Sequence, residues 1–173
     1  MTTPETPPSV LFIEDDAELR RAIVDALDLE SIAVQALPDA AQALAALTPQ
    51  FRGVVVSDIR MPGMDGLELF SRIRELDSQI PVILISGHAD VPMAVQALQD
   101  GAFDFLTKPF AMDRLINAVN QAQDYRTRAL AHRALRAATE AAAHANALLI
   151  GESAAMVALR EAIARIAASD LDV

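Results

Sequence analysis

A carboxylate at Asp58, an acidic pair at Glu14 and Asp15, a hydroxyl at Ser86 and an ammonium at Lys108 are the side chains of this sequence whose types and positions point to shared chemistry. Each stands at the end of a short apolar run or directly after it. Asp58 closes Val54-Val55-Val56-Ser57-Asp58 and opens the loop Ile59-Arg60-Met61-Pro62-Gly63-Met64-Asp65-Gly66, while Glu14-Asp15-Asp16 follow Val10-Leu11-Phe12-Ile13. Ser86 ends Pro81-Val82-Ile83-Leu84-Ile85-Ser86, and Lys108 comes after Phe103-Asp104-Phe105-Leu106-Thr107. If these runs are neighbouring strands, the carboxylates of Glu14, Asp15 and Asp58 converge. Packed carboxylates repel and raise one another's proton affinity unless a cation lies between them, and hard oxygen ligands with room for water suit Mg²⁺. A carboxylate nucleophile, a divalent cation, a hydroxyl and a lysine together match the needs of an aspartyl phosphate, whose phosphoryl oxygens require counter-charge and hydrogen bonds as it forms. Taken singly, each residue has a plainer reading. Asp58 suits a turn or cap, the acidic triplet a solvated turn, Ser86 a cap, and Lys108 a solvated surface position. Their joint occurrence, one at each appropriate strand end, is what selects a phosphoryl-accepting site.

The elements that must position them follow from the apolar patterns. Three consecutive valines bounded by a Pro- and Gly-punctuated loop read as a strand buried on both faces, as in a parallel sheet, and open α/β sheets gather ligands at the carboxyl ends of such strands. The first run leads to a helical pattern with Leu19, Ile23, Ala26 and Leu27 on one face. A weaker strand at Ile32 to Leu37 precedes a helix opened by Asp39 and closed by Pro49. Asp65 caps the next helix, Gly66 to about Leu76, and Glu68 is placed to complete a capping box. Asp90 starts a fourth helix with Pro92 in its first turn and Gly101 at its end, and Phe103 to Leu106 is the fifth strand, before a helix that begins near Ala111. Five alternating βα units predict an α/β fold with a doubly wound, five-stranded parallel sheet.

The last helical pattern does not stop where such a domain should. From Met112 to about Ala145 there is no Pro or Gly, and Ala, Arg, Leu and Gln dominate. Its larger apolar residues, Leu115, Ile116, Val119, Leu130 and Leu135, leave a coiled-coil seam weakly marked. A break is expected around Asn146 to Gly151, and then a further amphipathic helix capped by Ser153.

Composition narrows the classes. The 173 residues are 53% hydrophobic but 4% aromatic, so the core must be built from Ala, Leu, Val and Ile. The sequence has no cysteine, which removes disulfides and thiol chemistry. The polar opening, residues 1–8, reads as disordered and has no signal-peptide pattern; no apolar run reaches the ~20 residues of a membrane span, so a cytoplasmic protein without membrane contact is expected. A formal net charge of −10 speaks against nucleic-acid contact by this chain, because phosphate neutralisation needs clustered Lys and Arg.

From Ser9 to about Gln123 the sequence resembles the receiver domain of bacterial two-component response regulators. The likeness is carried by Glu14 and Asp15, by Asp58 with the Met61-Pro62-Gly63-Met64-Asp65-Gly66 loop, by Ser86, and by Lys108-Pro109-Phe110. It implies a flavodoxin-like strand order 2-1-3-4-5 and a phosphoacceptor Asp58 served by a sensor histidine kinase. It also implies Mg²⁺ held by Asp15, Asp58 and the backbone carbonyl of Arg60, with Glu14 acting through water and Asp16 a bystander. Ser86 and Phe105 become switch residues, Arg60 and His88 occupy positions that tune phosphoryl lifetime, and the Lys108–Pro109 bond is expected to be cis. Glu14 replaces the commoner Asp, and Phe105 the commoner Tyr.

The segment from Leu149-Ile150-Gly151-Glu152-Ser153 to Asp170-Leu171-Asp172-Val173 resembles the entry to the AAA+ ATPase domain of sigma-54-dependent activators of the nitrogen regulatory protein C family, with Ala154 in place of the usual Pro. Within that family the likeness is to the branch regulating C4-dicarboxylate transport. No G-x-x-x-x-G-K-[ST] phosphate loop occurs. The resemblance divides the chain into a receiver at 9–123, a coiled-coil linker at 124–147 forming part of a long signalling helix, and the start of a truncated ATPase domain at 148–173. It implies a homodimer through the linker and the face made by the fourth helix, fifth strand and fifth helix, a regulatory rather than enzymatic role, and the ATPase domain of a longer protein as a partner. Other readings are an activator of the same family with a different set of genes, a receiver used only for interaction, or a Mg²⁺-dependent phosphatase of the haloacid dehalogenase type. That last family wants a second Asp two residues after its nucleophile, where Arg60 stands here.

Overall fold

Strand β1 (Val10–Ile13), β3 (Val54–Asp58) and β4 (Val82–Ser86) are buried along their whole length in the computed structural model, which describes residues 9–87 and 91–151, with side-chain surroundings as far as residue 144. Burial on both faces is why these strands are continuous apolar runs without alternation, and each fully buried Val or Ile contributes about 1.5–3 kcal/mol. They form the middle of a five-stranded parallel sheet ordered β2-β1-β3-β4-β5, with the shorter β2 (Val34–Leu37) and β5 (Asp104–Thr107) at its edges. The register pairs Ile13 with Ser57, Asp58 with Ile85, and Ser86 with Thr107. The carboxyl ends of four strands therefore lie at one end of the sheet.

Helices cover both faces. Val10, Phe12, Val54, Val56, Ile83 and Ile85 pack towards α1 (Ala17–Leu29) and the first turns of α5 (Met112–Gly151). Leu11, Ile13, Val55, Val82 and Leu84 pack towards α2 (Ala40–Ala46), α3 (Gly66–Leu76) and α4 (Val91–Gln99). Side chains alternate across each strand, so one uninterrupted apolar run serves two cores.

Helix starts follow the predicted carboxylate caps at Asp39 and Asp65, which accept from the backbone N–H of Gln42 and Glu68. The capping box at α3 is not completed: Glu68 turns to Arg72 four residues on, at 2.9 Å, an ion pair of matching sign for that spacing. Asp16, outside the carboxylate cluster, caps α1, accepting from the N–H groups of Glu18 and Leu19 at 2.8 and 3.0 Å. Those two bonds stabilise its charged form and hold its carboxyl below the usual range. Gly101, at φ +96°, ends α4 in the left-handed conformation, with Ala102 N–H donating to the Ala97 carbonyl and Gly101 N–H to that of Leu98. Asp90 lies outside the described residues.

The predicted break at Asn146 to Gly151 is absent, and α5 runs unbroken to Gly151. Asn and Gly are weak helix formers but neither forbids helix, and no Pro interrupts the stretch. The segment from Ser153 onwards lies outside the described residues. The chain divides into two compact units after Leu130, a boundary that falls inside α5. In the first unit, Leu115, Ala118, Val119, Ala122 and Arg126 are buried at three- and four-residue spacing, so α5 presents one packed stripe. In the second, residues 131–144 are exposed throughout, Leu135 included.

Arg126 closes that stripe and is fully buried. Its guanidinium donates to Asp77 at 2.9 Å, to the Phe51 carbonyl from two nitrogens, and to the Pro49 carbonyl at 3.3 Å. One side chain thus ties α5 to the end of α3 and to the loop before β3.

Candidate functional site

The sheet order brings together residues that are far apart in the chain. β1 lies beside β3, so Glu14, one residue past β1, meets Asp58 at the end of β3, and the Lys108 ammonium reaches both. Lys108 Nζ donates to Glu14 Oε2 at 2.7 Å and to Asp58 Oδ2 at 3.0 Å. Asp58 Oδ1 accepts from the Ile59 N–H at 2.8 Å. Glu14 and Asp58 are almost wholly buried, at 1% and 6% exposure, whereas Asp15 is exposed. Carboxylate oxygens of Glu14, Asp15 and Asp58 all lie within 4.8 Å of one another. Lys108 is itself positioned by the strand ladder, its N–H donating to the Ser86 carbonyl at 2.7 Å, and the bond to Pro109 is cis as expected.

Electrostatics at this cluster are those of an unfinished charge balance. Burial pushes the Glu14 carboxyl above its usual range; the Lys108 hydrogen bond pulls it back, and the negative charge of Asp58 pushes it up again. For Lys108, burial alone would favour the neutral amine. The hydrogen bonds and charges of Glu14 and Asp58 outweigh that and leave it above the ordinary lysine range. Three carboxyl groups face one ammonium here, an excess of negative charge. An oxygen-only donor set of that charge, with one exposed member and two buried ones, fits a divalent hard cation that keeps part of its water.

The other expected site residues are placed as follows. Ser86 is buried at the end of β4, beside Thr107 in the ladder and one strand from Asp58. Phe105 is half-buried and packs against the core beneath α2, α3 and α4. Arg60 is exposed and shares with Asp15, Pro62, Asp65 and Met93 the lining of an open cavity of about 540 Å³ over the β3–α3 loop. His88 lies outside the described residues. Gly66 has a steric reason: a Cβ there would collide with the Asp58 carbonyl oxygen and Ile59 Cα, so only glycine lets α3 start against the loop. Its N–H donates to the Ile59 carbonyl at 2.9 Å, holding the loop closed behind Asp58.

Two contributors escaped sequence reasoning. Asp16 carried a legible signal, a carboxylate just before a helical pattern, which is the cap rule. Arg20 carried none, since an Arg in the first turn of an amphipathic helix is ordinarily solvated. Here its Nη1 donates to the Glu14 carbonyl at 2.6 Å and to the Asp15 carbonyl at 3.2 Å.

Comparison with known proteins agrees with this geometry. The profile of the response regulator receiver domain matches residues 10–120. The chain is 49% identical over 166 residues to the C4-dicarboxylate transport transcriptional regulatory protein DctD of Rhizobium meliloti, an alignment covering 96% of this chain and 36% of that protein. It is 39% identical over 113 residues to the DNA-binding transcriptional regulator NtrC of Escherichia coli, covering 65% of this chain and 24% of that one. The chain thus spans about a third of the length of the DctD relative it matches along nearly all of its own. Among solved structures, FixJ-N superposes with a TM-score of 0.61 at 40% identity, over 66% of this chain and 92% of its own. The beryllofluoride-activated NtrC4 receiver domain dimer superposes with a TM-score of 0.63 at 29% identity, over 68% and 97%.

Proposed function

The chain belongs to the response regulator receiver domain family, and from that membership we propose that it is the phosphoryl-accepting module of a two-component regulator, with Asp58 as acceptor and a sensor histidine kinase as donor. The observation that carries the reading is Lys108 bridging Glu14 and Asp58 at the carboxyl end of the sheet, with Asp15 within 4.8 Å. In the proposed step a carboxylate oxygen of Asp58 bonds to phosphorus as the phosphorus–nitrogen bond to the kinase histidine breaks, and the imidazole keeps that electron pair and takes up a proton. Lys108, already on Asp58 Oδ2, is placed to follow the phosphoryl oxygens, and Ser86 supplies a hydroxyl from the neighbouring strand. Asp15 and Asp58 with the Arg60 backbone carbonyl, and Glu14 through water, are the groups that would hold Mg²⁺. When bound, that ion supplies charge neutralisation to the phosphoryl group. Arg60 and His88 are assigned to phosphoryl lifetime, and Phe105 to the switch.

The test is incubation with a small phosphodonor and Mg²⁺. One hydroxylamine-sensitive phosphoryl group retained per chain supports the assignment, whereas steady turnover of a phosphate ester would favour the phosphatase alternative. Asp15→Asn should weaken Mg²⁺ binding and slow phosphorylation far more than Asp16→Asn, since Asp15 belongs to the carboxylate cluster while Asp16 faces α1, where Asn caps as well. Equal effects of the two in Mg²⁺ titrations would refute this ligand set.

We propose further that the longer protein is a cytoplasmic sigma-54-dependent activator for C4-dicarboxylate transport genes. The DctD likeness along nearly the whole chain supports this, with residues 124–147 as a coiled-coil linker and 148–173 as the start of an ATPase domain. An activator of the same family with other target genes is the second reading. Exposure of residues 131–144, Leu135 among them, supports pairing with a second copy, because a helix that buries nothing is only marginally stable alone. No helix among the described residues is long and apolar enough to cross a membrane. Phosphorylation adds roughly −1.5 to −2 charges at Asp58 and is expected to repack the face made by α4, β5 and α5. Scattering with and without a phosphoryl mimic and Mg²⁺ should then show a dimer whose interface changes; a monomer in both states would defeat the dimer proposal.

A further inference from the structure

We propose that Arg20 is a positioning residue for the acidic loop, holding Asp15 in place as a cation ligand through the loop's backbone. The inference rests on the metal-binding reading above. Glu14 and Asp58 have direct holders, since Lys108 bonds both and the Ile59 N–H bonds Asp58. Asp15 has none of these. Its carboxylate is exposed and is given no hydrogen bond by any described residue, so the direction of its side chain is set by the peptides on either side.

Those peptides are where Arg20 acts. A single guanidinium nitrogen donates to the carbonyl oxygens of both Glu14 and Asp15, at 2.6 and 3.2 Å, which fixes two successive peptide planes. The remaining restraints on the loop lie at its ends. The Glu14 N–H donates to the Leu37 carbonyl at 3.2 Å and Asp16 caps α1, while the bond from the Asp16 N–H to Glu14 Oε1, at 3.4 Å, is long and weak. Arg20 is held by the same cap: its own N–H donates to the Asp16 carbonyl at 2.9 Å, so the first turn of α1 carries the guanidinium to the loop.

Two effects of opposite sign compete. A guanidinium near the cluster repels an incoming cation, whereas the two carbonyl bonds preorganise a ligand. Preorganisation dominates here, because the three carboxyl groups outnumber the positive charges beside them, and because loss of groups that orient metal ligands typically weakens binding by 10–100-fold.

The experiment is Mg²⁺ titration of the folded chain by calorimetry, together with the Mg²⁺ dependence of phosphorylation by a small phosphodonor. Arg20→Met should raise the Mg²⁺ dissociation constant about tenfold, equivalent to about 1.4 kcal/mol, and the phosphorylation rate should return to that of the wild type at saturating Mg²⁺. Arg20→Lys, which keeps the charge on a single compact donor, should recover only part of the affinity. Unchanged or tighter Mg²⁺ binding in folded Arg20→Met overturns the proposal, as does a rate defect that saturating Mg²⁺ does not restore. If Arg20→Met does not fold, Arg20→Lys decides alone, with wild-type affinity overturning the proposal and weakened affinity sustaining it. A wild-type chain that binds no Mg²⁺ overturns this proposal and the ligand set beneath it; a wild type that binds Mg²⁺ alongside an unaffected Arg20→Met overturns this one only.

Discussion

Asp58→Asn is expected to leave the chain folded and to abolish phosphoryl uptake. The amide oxygen can still accept from the Ile59 N–H, now at 2.8 Å, so the end of β3 keeps its local bond. The amide cannot act as the nucleophile, and no neighbouring carboxylate replaces it. Glu14 is engaged by Lys108 at 2.7 Å, and Asp15 stands on the exposed side of the cluster. The same change removes the negative charge that pushes Glu14 up, so Glu14 should titrate lower in the variant than in the wild type. For the wild type the sign is set by Glu14 lying above its ordinary value of 4.5: its ionisation costs folding free energy above that range, and the cost disappears as pH falls and the native carboxyl takes up its proton. Hydroxylamine-sensitive label at undiminished level in Asp58→Asn would remove Asp58 from the acceptor role, and NMR titration of the Glu14 carboxyl checks the electrostatic half.

Arg126→Met should be the most damaging single change away from the site. Removing the guanidinium breaks the buried Arg126–Asp77 ion pair and releases the Phe51 and Pro49 carbonyls, and breaking a buried pair in this way costs about 3–5 kcal/mol. Asp77 keeps the Gln79 N–H at 3.0 Å, a neutral donor that does not replace the guanidinium's charge. Pairing the change with Asp77→Leu should recover a good part of the loss, because a buried ion pair replaced by apolar groups of similar volume is often nearly neutral. Urea unfolding of the single and double variants is the measurement. A single variant within 1 kcal/mol of the wild type, an order-of-magnitude bound for a surface change, would show that Arg126 does not hold α5 to the domain.

Most of the element order could be read directly from residue patterns. The valine run at Val54 to Val56, the carboxylates before α2 and α3, and Gly101 after α4 are local signals: each acts on its own few residues, through burial, a cap bond or a permitted positive φ. The candidate site was legible for a related reason. A parallel sheet sends every strand end to the same side, so residues placed just after apolar runs were already sorted to one face before any contact was known.

Which of those residues touch was decided only by the tertiary structure. Glu14 and Lys108 are separated by 94 positions and meet at 2.7 Å because β1 inserts beside β3, leaving β2 at the edge. Arg126 finds Asp77 across 49 positions for a comparable reason, the return of α5 along the sheet. Charged side chains have no periodic pattern that names a partner. An arginine that will be buried, such as Arg126, one that pins a loop, such as Arg20, and one that stays in water, such as Arg60, look alike in a helix or loop sequence until the packing sets their surroundings. The sequence by itself determined the strands, their polarity and the chemistry at their ends, because those depend on short-range pattern; the pairing of charges depended on strand order and crossovers, which bring distant residues together only once the chain is folded.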